Sequence, residues 1–92
     1  MAISQELTAI HGDNVLRPET DKALVGPGMD KVWLPDVSAV AAGKTIEIIN
    51  PNGTAVLVVN GIGVRVGTIQ PFKRVTVTPV SSNPDIWNLL VI

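Results

Sequence analysis

Few side chains in this 92-residue chain have the chemistry that catalysis needs, and their spacing does not combine them. There is one histidine, His11, and no cysteine, while Ser38, Ser81 and Ser82 lie in predicted loops. Nucleophilic catalysis needs a nucleophile with a base in reach, and acid–base catalysis needs two groups that a scaffold holds together. No pair of these residues has such a spacing. The sequence therefore predicts no catalytic residue and no enzyme.

Metal and cofactor sites are also poorly represented. A zinc site built on cysteine needs thiols, and a lone histidine cannot form a His-rich site. Residues 42–45 (AGKT) copy the end of a phosphate-binding loop, but Ser38 stands where its first glycine belongs and an alternating strand follows. Gly61, Gly63 and Gly67 are spaced one residue too widely for a dinucleotide loop. We expect turns at both places, no metal and no cofactor.

The charge balance and the lengths of the apolar runs exclude two classes of partner. Seven Lys and Arg residues face eight Asp and Glu residues, for a formal net charge of −1, so the basic footprint of a nucleic-acid-binding protein is missing. No apolar run approaches the roughly 20 residues of a membrane-spanning helix. The first residues, MAISQE, lack the basic start and apolar stretch of an export signal. We expect neither nucleic acid nor a membrane as a partner.

Composition favours an all-β fold. Val and Ile number 23 against 14 Leu and Ala, and seven Thr add further β-branched side chains. Eight Gly and seven Pro punctuate the apolar runs, which is typical of short strands joined by turns. The prediction is a small antiparallel β-sandwich or barrel of about six or seven short strands. Because so small a domain cannot bury all its apolar side chains, we expect a partner to cover part of its surface.

The chain divides into an N-terminal arm, residues 1–30, and a β domain, residues 31–92. The arm has five acids and two bases, whereas the remainder has three acids and five bases. Ile3, Leu7 and Ile10 have the spacing of one face of a short helix. A flexible or extended arm is the alternative, since an isolated helix of this length is marginal in water.

Three strand predictions stand out in the β domain. Residues 45–59 read as a hairpin, with an Asn-Pro-Asn-Gly turn at 50–53. Residues 74–78 alternate, with both valines on one face, and residues 79–85 form a loop. Residues 86–92 are apolar on both faces, so this strand lies between two layers or meets another subunit. We expect core or oligomer anchors at Trp33, Trp87, Leu89 and Val91; the tryptophans could alternatively stack on sugars.

Several segments together resemble β-modules of tailed-bacteriophage virion proteins. They are residues 32–36 (VWLPD), 42–50 (AGKTIEIIN), 74–77 (RVTV) and 86–90 (IWNLL), and the resemblance covers about residues 31–91. A free-standing chain of this size with an arm in front is most similar to small head-decoration, or cement, proteins.

This resemblance implies a structural virion protein, made in the host cytoplasm, that binds the outside of a phage capsid and stabilises the shell. It implies the major capsid protein as partner and a homo-oligomer, with a trimer favoured. Within the arm we assign capsid contact to Ile3, Leu7, Ile10 and Arg17. The alternative is a tail-fibre or appendage module that binds a host surface glycan or a neighbouring virion protein.

Overall fold

The computed structural model describes residues 3–9, 14–82 and 84–92. It contains eight strands, which in chain order are β1 (Gln5–Leu7), β2 (Lys22–Val25), β3 (Lys31–Trp33), β4 (Ile46–Ile49), β5 (Val56–Val59), β6 (Arg65–Ile69), β7 (Arg74–Ser82) and β8 (Asp85–Val91). One 3₁₀ turn, Val37–Ala39, follows β3. Within these described ranges, no helix has the length and apolarity to cross a membrane. The predicted all-β fold is confirmed.

The strands form two sheets that make a small sandwich. The larger sheet has the order β1-β2-β4-β7-β8, and the smaller sheet has the order β3-β5-β6. The pairs β1–β2, β2–β4 and β3–β5 are parallel, whereas β4–β7, β5–β6 and β7–β8 are antiparallel. Both sheets are thus mixed, where the sequence predicted antiparallel pairing. Parallel pairs arise here because the chain changes sheets between strands that become neighbours.

The core lies between the sheets and is built from alternate strand positions. Ile46 and Ile48 on β4 face inward together with Val75 and Val77 on β7, and all four are fully buried. Since successive side chains of a strand point to opposite faces, the two-residue period selects which residues enter the core. The predicted shared face of the two valines is confirmed. The predicted loop 79–85 is shorter than expected, because β7 continues to Ser82 and β8 begins at Asp85.

The predicted hairpin over residues 45–59 is wrong. β4 pairs with β2 and β7 in the larger sheet, whereas β5 pairs with β3 and β6 in the smaller one. At the crossing point, the buried Asn50 side chain donates from Nδ2 to the carbonyl oxygens of Thr54 at 2.8 Å and Gln70 at 3.3 Å. Its Oδ1 accepts from the Asn52 N–H at 3.1 Å. The turn at residues 50–53 therefore leads the chain from the larger sheet to the smaller one.

The N-terminal segment also differs from the expected arm. Its two strands extend the larger sheet, with Leu7 opposite Val25 in the parallel β1–β2 pair. Five of its apolar side chains are buried in the common core: Leu7, Leu16, Ala23, Val25 and Met29. Burial of these side chains stabilises the packing of the segment on the β domain. The difference in charge between the two parts of the chain did not indicate this burial. Residues 5–7 form a strand where a helix was one alternative, and residues 10–13 lie outside the described part.

A buried glutamine organises the chain between β1 and β2. Gln5 donates from Nε2 to the Val15 carbonyl at 2.9 Å, and its Oε1 accepts from the Arg17 N–H at 2.9 Å and from the Thr20 hydroxyl. Each group would otherwise lose its water partners on burial. Gln5 thus holds residues 15–20 against β1.

We predict that Leu7→Ala lowers the free energy of unfolding by about 3 kcal/mol, because it opens a cavity in the shared core. Ile3→Ala, at a position on the same segment that is 39% exposed, should cost less than about 1 kcal/mol. Urea denaturation of both variants measures the difference. Equal, small effects would show that the segment does not belong to the core.

We predict that Asn50→Ala destabilises the protein by about 2 kcal/mol, because it leaves buried carbonyl groups without a donor. Asn88→Ala is the matched control, since Asn88 is exposed on β8 and should change stability by no more than about 0.5 kcal/mol. Thermal and urea unfolding monitored by tryptophan fluorescence report both. A neutral Asn50→Ala variant would contradict the bridging role.

Candidate interaction surface

The structure brings Ser38, Ser81 and Ser82 to the lining of one cleft, but the residues that line this cleft include no histidine, lysine or carboxylate that could act as a base. Ser38 lies within the 3₁₀ turn that Asp36 caps, and Asp36 Oδ1 accepts from the Ser38 hydroxyl at 2.9 Å and from its N–H at 3.0 Å. Ser81 and Ser82 lie on β7, and His11 falls outside the described residues. Across residues 3–9, 14–82 and 84–92, no group of three or more His, Cys, Asp or Glu could hold a metal ion.

The first glycine-containing motif forms a turn, whereas the second is only partly a turn, because Gly67 lies within β6 and pairs with Val58. Residues 42–45 lead directly into β4 and place Gly43 at φ +77°, a backbone conformation that favours glycine. The Lys44 ammonium lies 3.1 Å from the Asp21 carboxylate, so it pairs with a neighbouring loop. Gly63, at φ +87°, lies in the turn between β5 and β6. Local backbone geometry accounts for the glycines at both turns.

The residues assigned to capsid contact have different environments. Ile3 is partly exposed, and Arg17 donates from Nη2 to the Ser4 carbonyl at 3.1 Å while its Nε lies 3.2 Å from the Glu19 carboxylate. Leu7 is buried on the inner face of β1, so its assignment to a contact surface is corrected. Ile10 lies outside the described residues.

The four expected anchors also differ in how deeply they are buried. Trp87 is buried in the core, and Leu89 packs against the core from β8. Trp33 is half-buried on β3, with the Lys31 ammonium 5.6 Å from its ring centroid. Val91 is exposed, so it belongs to the surface and not to the core of one chain.

The outer edge of the larger sheet is an exposed apolar surface, which we call the β8 surface. Its side chains are between 44% and 65% exposed and are those of Ile86, Leu90, Val91 and Ile92. From Ile86 to Ile92 the chain has no charge, no Pro and no Gly. Edge strands are commonly protected from pairing by Lys, Pro or a cover of other structure. β8 lacks the protective residue types, which is typical of a strand that contacts another chain.

A second feature, the Phe72 cleft, adjoins the β8 surface and has both apolar and basic residues in its lining. It has a volume of about 470 Å³ and is lined by Ile49, Asn50, Pro51, Phe72, Lys73, Arg74 and Ile92. The Phe72 side chain is 74% exposed although its backbone has φ +60°, which is rare for a bulky residue. Its N–H donates to the Asn52 carbonyl at 3.1 Å, and this bond holds the turn. The fold thus presents its only phenylalanine to solvent.

Basic groups border this cleft. On the outer face of the larger sheet, Glu47 Oε2 lies 3.5 Å from Arg74 Nη1 and 3.9 Å from Lys22 Nζ. One carboxylate thus lies between two cations, and Lys73 adds a further positive charge beside Phe72. The end of the β8 surface near Ile92 is therefore positively charged.

Comparison with known protein families, curated proteins and solved structures finds no match to this chain. The role of the surface therefore rests on its geometry and on the sequence pattern. In the sequence, Pro71 ahead of the alternating strand 74–78 predicts a turn over residues 70–73, but the exposure and backbone conformation of Phe72 are evident only from the fold. A lone phenylalanine in a predicted turn was the available signal.

We predict that Phe72→Asn raises the free energy of unfolding by about 1 kcal/mol, because Asn tolerates a positive φ better than Phe does. The ring contributes little to the core, since most of it is exposed. Urea denaturation tests the effect. A loss of more than about 1 kcal/mol would mean that contact between the ring and the turn at Gly53, which it approaches, outweighs the backbone strain.

Proposed function

We propose that this protein is a structural virion protein that binds the outside of a phage capsid as an oligomer and stabilises the shell. The observation that carries the proposal is the exposed apolar surface formed by β8 and the Phe72 cleft. A contiguous apolar surface on a small domain is typical of an interface. The resemblance of residues 31–91 to virion β-modules supports the same role. The trimer expected above rests on that resemblance alone.

Phe72 is the proposed anchor for the capsid. An exposed aromatic side chain beside basic groups has the composition of an interface hot spot, where aromatic and Arg residues dominate the binding energy. A fold that holds a bulky residue at positive φ tolerates strain for the sake of the side chain's placement. The major capsid protein is the proposed partner of this anchor, and Ile3 and Arg17 provide further exposed contacts from the N-terminal segment.

Shell stabilisation follows from mass action. A protein that binds the mature shell and not its ruptured form lowers the free energy of the intact state by an amount that rises with its free concentration relative to its dissociation constant. Such a function needs a complementary surface and no reacting group. A rigid sandwich with an apolar face is suited to it.

We predict that the purified protein binds expanded shells of the phage that encodes it, and not the unexpanded immature shells. Phe72→Asn should weaken binding about tenfold or more, since loss of a hot-spot side chain costs at least ~2 kcal/mol. Ile62→Asn is the matched control, because Ile62 is 76% exposed on a different turn. Co-sedimentation with shells made without the protein measures the binding of the unmodified protein and of both variants.

Equal binding to both kinds of shell would contradict the decoration role, and equal losses in the two variants would contradict the anchor. Retention on host surface glycans without shell binding would support the appendage alternative in its place. Binding to a glycan array and binding to purified shells, measured in parallel, separate these outcomes.

A further inference from the structure

We propose that β8 pairs antiparallel with β8 of a second copy of this chain, about a twofold axis at Leu89. The pairing joins the two larger sheets into one ten-stranded sheet. This inference goes beyond the proposed function, because it specifies how copies contact each other whatever they bind. It also replaces the trimer implied by the resemblance with a twofold contact.

The backbone of β8 has unpaired groups directed away from its own sheet. β8 is the last strand of the order β1-β2-β4-β7-β8, and the Ile92 N–H donates to the Arg74 carbonyl at 3.1 Å. Hydrogen-bonded positions alternate along an antiparallel ladder, so the backbone N–H and C=O groups of Leu90 and Asn88 also face β7. The N–H and C=O groups of Trp87, Leu89 and Val91 therefore point to the free edge.

The position of Pro79 agrees with this assignment. It lies opposite Trp87 in the β7–β8 register, and proline has no N–H to donate across the ladder. A non-bonded pair at this position needs no such donor. Trp87 is thus free to use its backbone groups at the outer edge.

The number of available hydrogen bonds selects the register. An axis at Leu89 pairs Leu89 with its own copy and Trp87 with Val91 twice, and each of these three pairs can exchange two N–H···O=C bonds. An axis at Asn88 forms two such pairs between Trp87 and Leu89, and its further pairs would join Val91 to Asp85, whose carbonyl already accepts from Asn60 Nδ2 at 2.9 Å and would have to accept a second bond. The Leu89 register also places the exposed side chain of Ile86 opposite that of Ile92.

Charge favours the antiparallel direction and a copy of the same chain. Asp36 and Asp85 lie at the start of β8, where both line one cleft, whereas Lys73 and Arg74 lie at its end beside Ile92. Antiparallel pairing brings the acidic end of each copy to the basic end of the other, twice. Parallel pairing would bring like charges together, which is unfavourable.

Cysteine cross-linking tests the register directly. In an axis at Leu89, Asn88 lies opposite Leu90 of the second copy as a non-bonded pair, with Cα atoms about 4.5 Å apart, a separation that suits a disulfide. Both positions are exposed on the outer face of β8. The chain has no cysteine, so any disulfide must join introduced residues.

The double variant Asn88→Cys, Leu90→Cys should form a covalent dimer under mild oxidation, seen on a non-reducing gel. Either single variant should stay uncross-linked, since each cysteine then faces a residue that cannot bond to it. A covalent dimer of Asn88→Cys alone would place the axis at Asn88 and overturn the register. Absence of dimer in the double variant would overturn the pairing.

Light scattering of the unmodified protein is the second measurement. The expected mass is twice the 9.7 kDa of the chain, and a single or threefold mass would overturn the proposal. The two proposals fail separately. A dimer that ignores shells would contradict only the capsid role, whereas a trimer that binds them would contradict only the β8 contact.

Discussion

Two buried asparagines bond the two sheets of the sandwich together, Asn50 where the chain crosses from β4 to β5 and Asn60 in the turn between β5 and β6. Asn50 at the end of β4 donates to the carbonyls of Ile69 and Gln70 in the strand and turn that end the smaller sheet. Asn60, after β5, donates to the Asp85 carbonyl on β8, and its Oδ1 accepts from the Val64 N–H at 2.8 Å. Each residue bonds one sheet to the other. Buried backbone groups need such partners, so these links determine where each sheet can begin.

This arrangement explains how β8 comes to lie at an edge. β8 packs its inner face on the smaller sheet, where Leu89 lies so close to Gly67 that an added Cβ would be 3.1 Å from Leu89 Cδ1. Trp87 enters the core beside it. No strand of the described chain lies beyond β8 in the sheet. The inward-facing side chains of β8 thus have partners within one chain, and the backbone groups at its free edge are available to another chain.

The exposed features at this end of the molecule are connected. Ile92 belongs both to the β8 surface and to the Phe72 cleft, and the turn that holds Phe72 leads directly into β7. A strand edge supplies backbone hydrogen bonds, whereas an exposed aromatic ring supplies a large apolar contact. The two features therefore suit two different contacts, one between copies and one with a larger partner.

The sequence by itself determined the features that depend on neighbouring residues. The alternation at 74–78 predicted that Val75 and Val77 share one face, and Asn, Pro and Gly predicted the turn at 50–53, because side-chain period and backbone dihedrals are local properties. Only the tertiary structure decided which strands pair. The turn at 50–53 does not specify whether the chain folds back or crosses, and Leu7 suits a helix, an arm or a strand until Val25 lies beside it. Strand pairing joins residues far apart in sequence, and the burial that selects it exists only once both sheets are in place.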